Sequence, residues 1–256
     1  MELPSQPRDG EMSRNFDVLQ RAGRDAALVD GSSKQLPADG NGHRPFELEK
    51  PADEETVKLV QRLFVFPNSH APKVVVFSSV QGDGSSAICS RVGGVLAAQE
   101  KGSVCLVDGN LRAPALHRLL GAEKSPGLAD AAVNPGPITD FAVRVAGGSF
   151  WLVPPGSPGS EAQRLLSSGQ MRLRMAELRK QFDFVVIDAP PLSSYADAAL
   201  LGQMADGIIL VVEANSTRRE NARTAKETLE SANVRLLGAI LNNRTFPIPE
   251  ALYRRL

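Results

Sequence analysis

The chain has 256 residues, of which 42% are hydrophobic, enough apolar material to fill one large domain with a short appendage. Lys plus Arg balances Asp plus Glu at 29 each, and a net charge of zero argues against a nucleic-acid binder held by electrostatics. Cys89 and Cys105 have neither disulfide-framework nor metal-type spacing, and the scattered His43, His70 and His117 argue against a zinc site. No apolar run approaches the ~20 residues that span a bilayer, and the opening "MELPSQPRDGEMSR" lacks the apolar core of a signal peptide. The expected location is cytoplasmic, with any membrane association coming through a partner.

Residues 1–52 read as a mostly disordered arm, because residues 25–53 are rich in Gly, Ser, Pro and Asp and carry no helical or strand period. A short helix is expected at 12–23, "MSRNFDVLQRAG", with Phe16, Val18 and Leu19 on one apolar face and Gly23 ending it. Residues 53–256 read as one folded domain. It opens with a helix over "DEETVKLVQRLFV", whose Val57, Val60 and Phe64 share a face. From Lys73 short β-branched runs alternate with longer helical stretches. Strands are predicted at 74–77, 104–107, 149–154, 184–187, 208–212 and 236–241, and helices at 86–100, 114–120, 161–180, 196–204 and 217–232. Capping boxes are predicted at Ser160 with Gln163 and at Thr217 with Glu220. Nearly continuous apolar strands separated by helices predict an α/β fold of three layers, a mostly parallel sheet with helices on both faces. Ligands in such folds bind at the carboxyl ends of the strands.

The first of those ends carries the loop "SSVQGDGSS", which leaves a strand and opens a helix. Gly82 and Gly84 let the backbone turn and approach a ligand, and the helix N-terminus offers free N–H groups to an anion. A phosphate loop ends in G-K-[ST]; here the matching residues are Gly84, Ser85 and Ser86. The competing reading is a plain strand-to-helix turn in which Ser85 caps the helix. Two further segments favour the phosphate loop. "VCLVDGNLRAP" ends a strand at Asp108 and "FDFVVIDAPP" ends one at Asp188, each carboxylate placed where a Mg²⁺-bound water would be held.

With these three segments in view, the chain resembles the cytoplasmic domain of bacterial tyrosine kinases of the capsule and exopolysaccharide type, within the MinD/ParA-like P-loop class. The likeness covers roughly residues 53–256 and extends to "MSRNFDVLQRAG". The family's loop reads approximately S-S-x-x-G-E-G-K-S and its second motif D-A-D-L-R-x-P, against "SSVQGDGSS" and "DGNLRAP" here; the third, D-x-P-P, is intact as "DAPP". "LVPPGSPGSEAQRLLSS", "ADGIILVV" and "GAILNN" also follow the family's run of elements. The resemblance implies ATP and Mg²⁺ as cofactors, held by Gly82, Asp83, Gly84, Ser85 and Ser86, with Asn242 near the adenine. It implies Ser86, Asp108 and Asp188 around the metal, the two aspartates being catalytic if the chain is active. It also implies a membrane polysaccharide co-polymerase, or chain-length protein, as partner, a peripheral place at the inner membrane through it, and a homo-oligomer.

The departures fall on the chemistry. Ser85 stands where the loop lysine would grip the β/γ-phosphates, and Asn110 stands for the second aspartate of the Asp-x-Asp pair. Of nearby cations, Arg91 is too far along the helix and Arg112 is the better substitute, although its place in the family points to a structural or interface role. Family kinases end in a tyrosine cluster phosphorylated between subunits, whereas this chain has two tyrosines. Tyr195 is expected to be structural. Tyr253, in "IPEALYRRL", is expected to pack, with phospho-acceptor as the alternative. The family's Glu-x-x-Arg-x-x-Arg contact helix is matched only by Glu55, Lys58 and Gln61, which weakens the case for a ring. The leading expectation is a catalytically impaired regulator or scaffold. The alternatives are an active autokinase or ATPase, and a MinD/ParA-type positioning switch, for which the early loop lysine is missing at Val80 and Gln81.

Overall fold

A computed structural model describes residues 50–65, 71–82, 84–99, 102–124, 126–145, 149–157 and 161–243. The expected arm helix at 12–23, together with Asp83, Ser160 and Tyr253, lies outside the described residues.

Each predicted strand forms. β1 (Val74–Ser79), β2 (Val104–Asp108), β4 (Phe150–Val153), β5 (Phe184–Ala189), β6 (Gly207–Glu213) and β7 (Leu236–Asn242) lie parallel, and a two-residue strand, β3 (Val143–Arg144), pairs antiparallel with β4. The sheet order is β3-β4-β2-β5-β1-β6-β7. Valine-rich runs suit strands covered on both faces, and every residue of β1 and β2 is buried. One apolar cluster fills each face of the sheet, which makes the three-layer α/β fold expected from the alternation of elements.

The helices are α1 (Lys50–Val60), α2 (Ser85–Gln99), α3 (Leu116–Leu119), α4 (Leu128–Ala131), α5 (Ala162–Leu166), α6 (Gly169–Gln181), α7 (Asp197–Gly202) and α8 (Arg219–Ser231). α1 continues as a π-helical turn over Gln61–Val65, and Val60 and Phe64 bury against the sheet face that α2 also covers. Glu55 and Lys58 of α1 pair with each other at 2.8 Å. β1, flanked by β5 and β6, carries the loop into α2, so the N-terminus of that helix sits at the carboxyl end of the central strands.

Three local expectations are corrected. The single helix over 161–180 is two, because Ser168 takes an extended backbone and its Oγ accepts from Met171 N at 3.1 Å, capping a new helix. Thr217 does not cap α8. Its Oγ1 accepts from Glu213 N at 3.1 Å, closing the turn after β6, and α8 starts at Arg219 without a side-chain cap. The helix over 114–120 shrinks to one turn, since Asn110 Oδ1 accepts from Ala113 N at 3.1 Å and holds the preceding residues in a turn. α4 and the 3₁₀ turn Ile138–Phe141 carried no sequence period long enough to detect. The loop between them is held by the buried Arg174 of α6, which donates to the carbonyls of Ala131, Asn134 and Gly136.

Candidate functional site

The loop after β1 is laced to its neighbours by backbone bonds. Val80 N donates to Val211 O at 2.9 Å, and Leu192 N and Ser193 N donate to Ser79 O and Val80 O at 3.0 and 3.2 Å. Ser78 Oγ donates to Pro190 O at 2.7 Å, so the Asp-Ala-Pro-Pro loop and the Gly-rich loop are fastened together. Gly82 takes φ +70°, a left-handed turn that a side chain disfavours, and the Ser79 hydroxyl donates to its carbonyl. The Asn242 amide at the end of β7 lies against Gly84, 3.3 Å from where a Cβ would stand.

Ser85 is the first residue of α2, not its cap, and its hydroxyl is turned to other use. Ser85 Oγ donates to Asp188 Oδ1 at 2.7 Å, and Ser86 Oγ donates to Asp188 Oδ2. Both serines and Asp188 are buried. Two hydroxyls on one carboxylate hold it in place. Cys89, one turn further along α2, reaches to 4.0 Å from Asp188 Oδ1; burial, then the charges of Asp188 and Asp108, push its thiol well up.

Asp108 and Asp188 sit side by side in register on β2 and β5, which puts their side chains on the same face of the sheet. Asp108 is fully buried, and its Oδ1 has no hydrogen-bond partner among the described residues. Its Oδ2 lies 3.4 Å from His117 Nδ1. Burial pushes the Asp108 carboxyl up from 3.8 to about 7, against the opposing pull of the backbone N–H groups of His117, Leu116 and Ala115 and of the Arg118 charge. Burial, with Arg118 and Lys124, holds the His117 imidazole below its ordinary value.

Arg112, the better candidate to stand in for the loop lysine, is engaged by Asp197. Its Nε and Nη2 bind Asp197 Oδ2 and Oδ1 at 2.7 and 3.2 Å, and its guanidinium stacks 4.2 Å from the Tyr195 ring centroid. Asp197 is fully buried, so this bidentate pair fastens the loop after β2 to α7. Tyr195 lays its ring against Arg112 but is 41% exposed.

The structure gathers Gly82, Gly84, Ser85, Ser86, Asp108, Asp188 and Asn242 at one end of the sheet. Sequence reasoning missed Cys89, His117 and Asp197. Cys89 was legible, being four residues after Ser85 on a predicted helix. His117 and Asp197 had no local signal, since a loop and a distant helix deliver them.

A magnesium ion fits this donor set only when hydrated. Among the described residues no cluster of three or more His, Cys, Asp or Glu is spaced to hold an ion directly. Mg²⁺ keeps several waters, however, and the orphaned Asp108 Oδ1 is the acceptor such a water requires.

The parallel sheet, with a glycine loop opening a helix and carboxylates ending two adjacent strands, has the MinD/ParA-like P-loop fold. The "Tyrosine-protein kinase YwqD" of Bacillus subtilis is 33% identical over 172 residues, covering 67% of this chain and 72% of that protein. The chain belongs to the bacterial tyrosine-protein kinase family. The crystal structure of the VpsO kinase domain is 26% identical with a TM-score of 0.68, covering 77% of this chain and 98% of that one. A chain of the MinC:MinD cell division protein complex of Aquifex aeolicus shares the fold at a TM-score of 0.57 and 21% identity, covering 72% of each chain. Two other relatives are longer, and the chain spans 22% and 32% of them. No protein-family model matches the chain. No helix among the described residues is long and apolar enough to cross a membrane.

Proposed function

We propose that this chain is a catalytically impaired member of its family, a regulator or scaffold of capsule or exopolysaccharide biosynthesis with at most weak nucleotide binding. One observation carries the reading. The residue in the lysine position, Ser85, spends its hydroxyl on Asp188 and brings no positive charge to a phosphate. A charged hydrogen bond is worth ~1.5–3 kcal/mol, so its loss weakens binding roughly ten- to a hundred-fold. Transfer suffers further, because that charge stabilises the developing transition state. Asn110 adds no carboxylate and is occupied with Ala113 N, while Arg112 is held by Asp197.

In the cradle, Gly82, Asp83, Gly84 and Ser85 are the residues that would hold phosphate, with Asn242 on the base side. Ser86, Asp108 and Asp188 are those that would hold a hydrated Mg²⁺. When bound, the ion would neutralise negative charge on the phosphates. The partner suggested by the family resemblance is a membrane polysaccharide co-polymerase, which would place the chain at the cytoplasmic side of the inner membrane, alone or as a homo-oligomer.

The second reading, an active ATP-dependent tyrosine autokinase, is favoured by the retention of both Asp108 and Asp188, with Tyr253 as acceptor. Mass spectrometry of the full chain after incubation with Mg²⁺ and ATP separates the two. The proposal predicts no phosphotyrosine. Phosphate on Tyr253 that disappears in Asp188→Asn would overturn it.

A further inference from the structure

We propose that His117 is a positioning residue for the metal side of this site: its ring holds Asp108 Oδ2 and leaves Oδ1 as the acceptor offered to the hydration shell of a divalent cation. This rests on reading the cradle as a nucleotide site and adds to it a residue outside the loop and strand motifs.

The geometry builds in steps from Asp108. Gly109 follows it with its N–H on Val107 O at 3.0 Å, and a Cβ at this position would lie 2.7 Å from Asp188 O. Only glycine lets the chain leave β2 so close to β5. Asn110 then folds the next residues into a turn through Ala113 N. The turn delivers α3, whose Leu116 is fully buried and anchors the helix in the core beside β2. His117 comes next and returns over Asp108, nine positions after it, with Nδ1 3.4 Å from Oδ2.

Two carboxylate oxygens therefore face different fates. The carboxylate feels the backbone N–H groups of Ala115, Leu116 and His117, Oδ2 also has the imidazole at 3.4 Å, and Oδ1, buried, has no partner among the described residues. A buried carboxylate oxygen without a donor is costly, and sites that keep one have a use for it. Metal-binding side chains are oriented by a second tier of hydrogen bonds, and removing one such bond typically weakens metal affinity roughly 10- to 100-fold. Asp188 is oriented by Ser85 and Ser86; His117 performs the equivalent service for Asp108.

The test uses calorimetry of ADP binding, with Mg²⁺ and with EDTA, on the full chain carrying Ser85→Lys to bring the affinity into range. His117→Phe and His117→Asn are then added; the asparagine amide stands where Nδ1 stood. The expected result is that Mg²⁺ tightens ADP binding in the parent. His117→Phe should reduce that tightening about 10- to 100-fold while leaving the EDTA affinity unchanged, and His117→Asn should restore most of it. Full tightening in His117→Phe overturns the inference and leaves the nucleotide site standing. An equal loss with Mg²⁺ and with EDTA also overturns it, by making His117 merely structural. A parent that binds no ADP, or binds it without help from Mg²⁺, removes the underlying reading and this inference with it.

Discussion

Replacing Asp108 with asparagine should make the protein more stable, and increasingly so as the pH rises. Burial pushes the Asp108 carboxyl from its ordinary 3.8 up to about 7, so between these values the native state holds a proton that the unfolded chain has lost. A raised acid contributes stability that is fully present below the unfolded value and is lost as pH rises through the folded one. The shift is about 3 pH units at ~1.4 kcal/mol each, which gives a penalty of about 4 kcal/mol at pH 8 and under about 2 kcal/mol at pH 5. Asp108→Asn is close to isosteric and cannot ionise, so it escapes the penalty. Urea unfolding at pH 5, 6.5 and 8 in EDTA measures this, the chelator ensuring that no cation rescues the charged form. The expected outcome is a variant whose advantage over the natural chain grows with pH at an unchanged urea dependence. A variant that is no more stable at pH 8, or whose advantage is the same at every pH, would refute the account of Asp108.

Arg112→Met should destabilise by about 3–5 kcal/mol, because it leaves the fully buried Asp197 without its bidentate partner. Adding Asp197→Asn should recover much of that loss in urea unfolding; no recovery would mean that the arginine matters through packing on Tyr195 instead. Arg174→Met should cost about 3 kcal/mol or more, since the carbonyls of Ala131, Asn134 and Gly136 lose their shared donor. Faster proteolysis between residues 131 and 137 should accompany it, and an unchanged digestion pattern would contradict the staple.

Much of this fold was legible because β-branched runs and helical periods alternate clearly. Each core strand was found, the structure extends several by a residue or two, and Asp108 and Asp188 lie at the strand ends where the sequence put them. The failures have local causes. Ser168 capped a helix inside a polar stretch where the apolar period ran on, and Thr217 answered to the strand before it and not to the helix after it. In the site, the loop glycines and both aspartates lie in spaced motifs, and spacing is what a sequence displays. The hydroxyl bonds of Ser85 and Ser86 to Asp188, the Arg112–Asp197 pair and the His117–Asp108 contact join residues 9 to 103 positions apart. The serine and arginine contacts are created by the packing of distant strands and helices, which no window of sequence contains, and the His117 contact by a turn whose course the sequence does not display.

The central claim is that the cradle survives and its missing lysine is what limits it. Calorimetry with ATP and with ADP plus Mg²⁺, on the natural chain and on Ser85→Lys, tests it most directly. The account predicts weak or undetectable binding by the natural chain and a gain of roughly ten- to a hundred-fold on restoring the charge. No gain in Ser85→Lys, or tight binding by the natural chain, would contradict it.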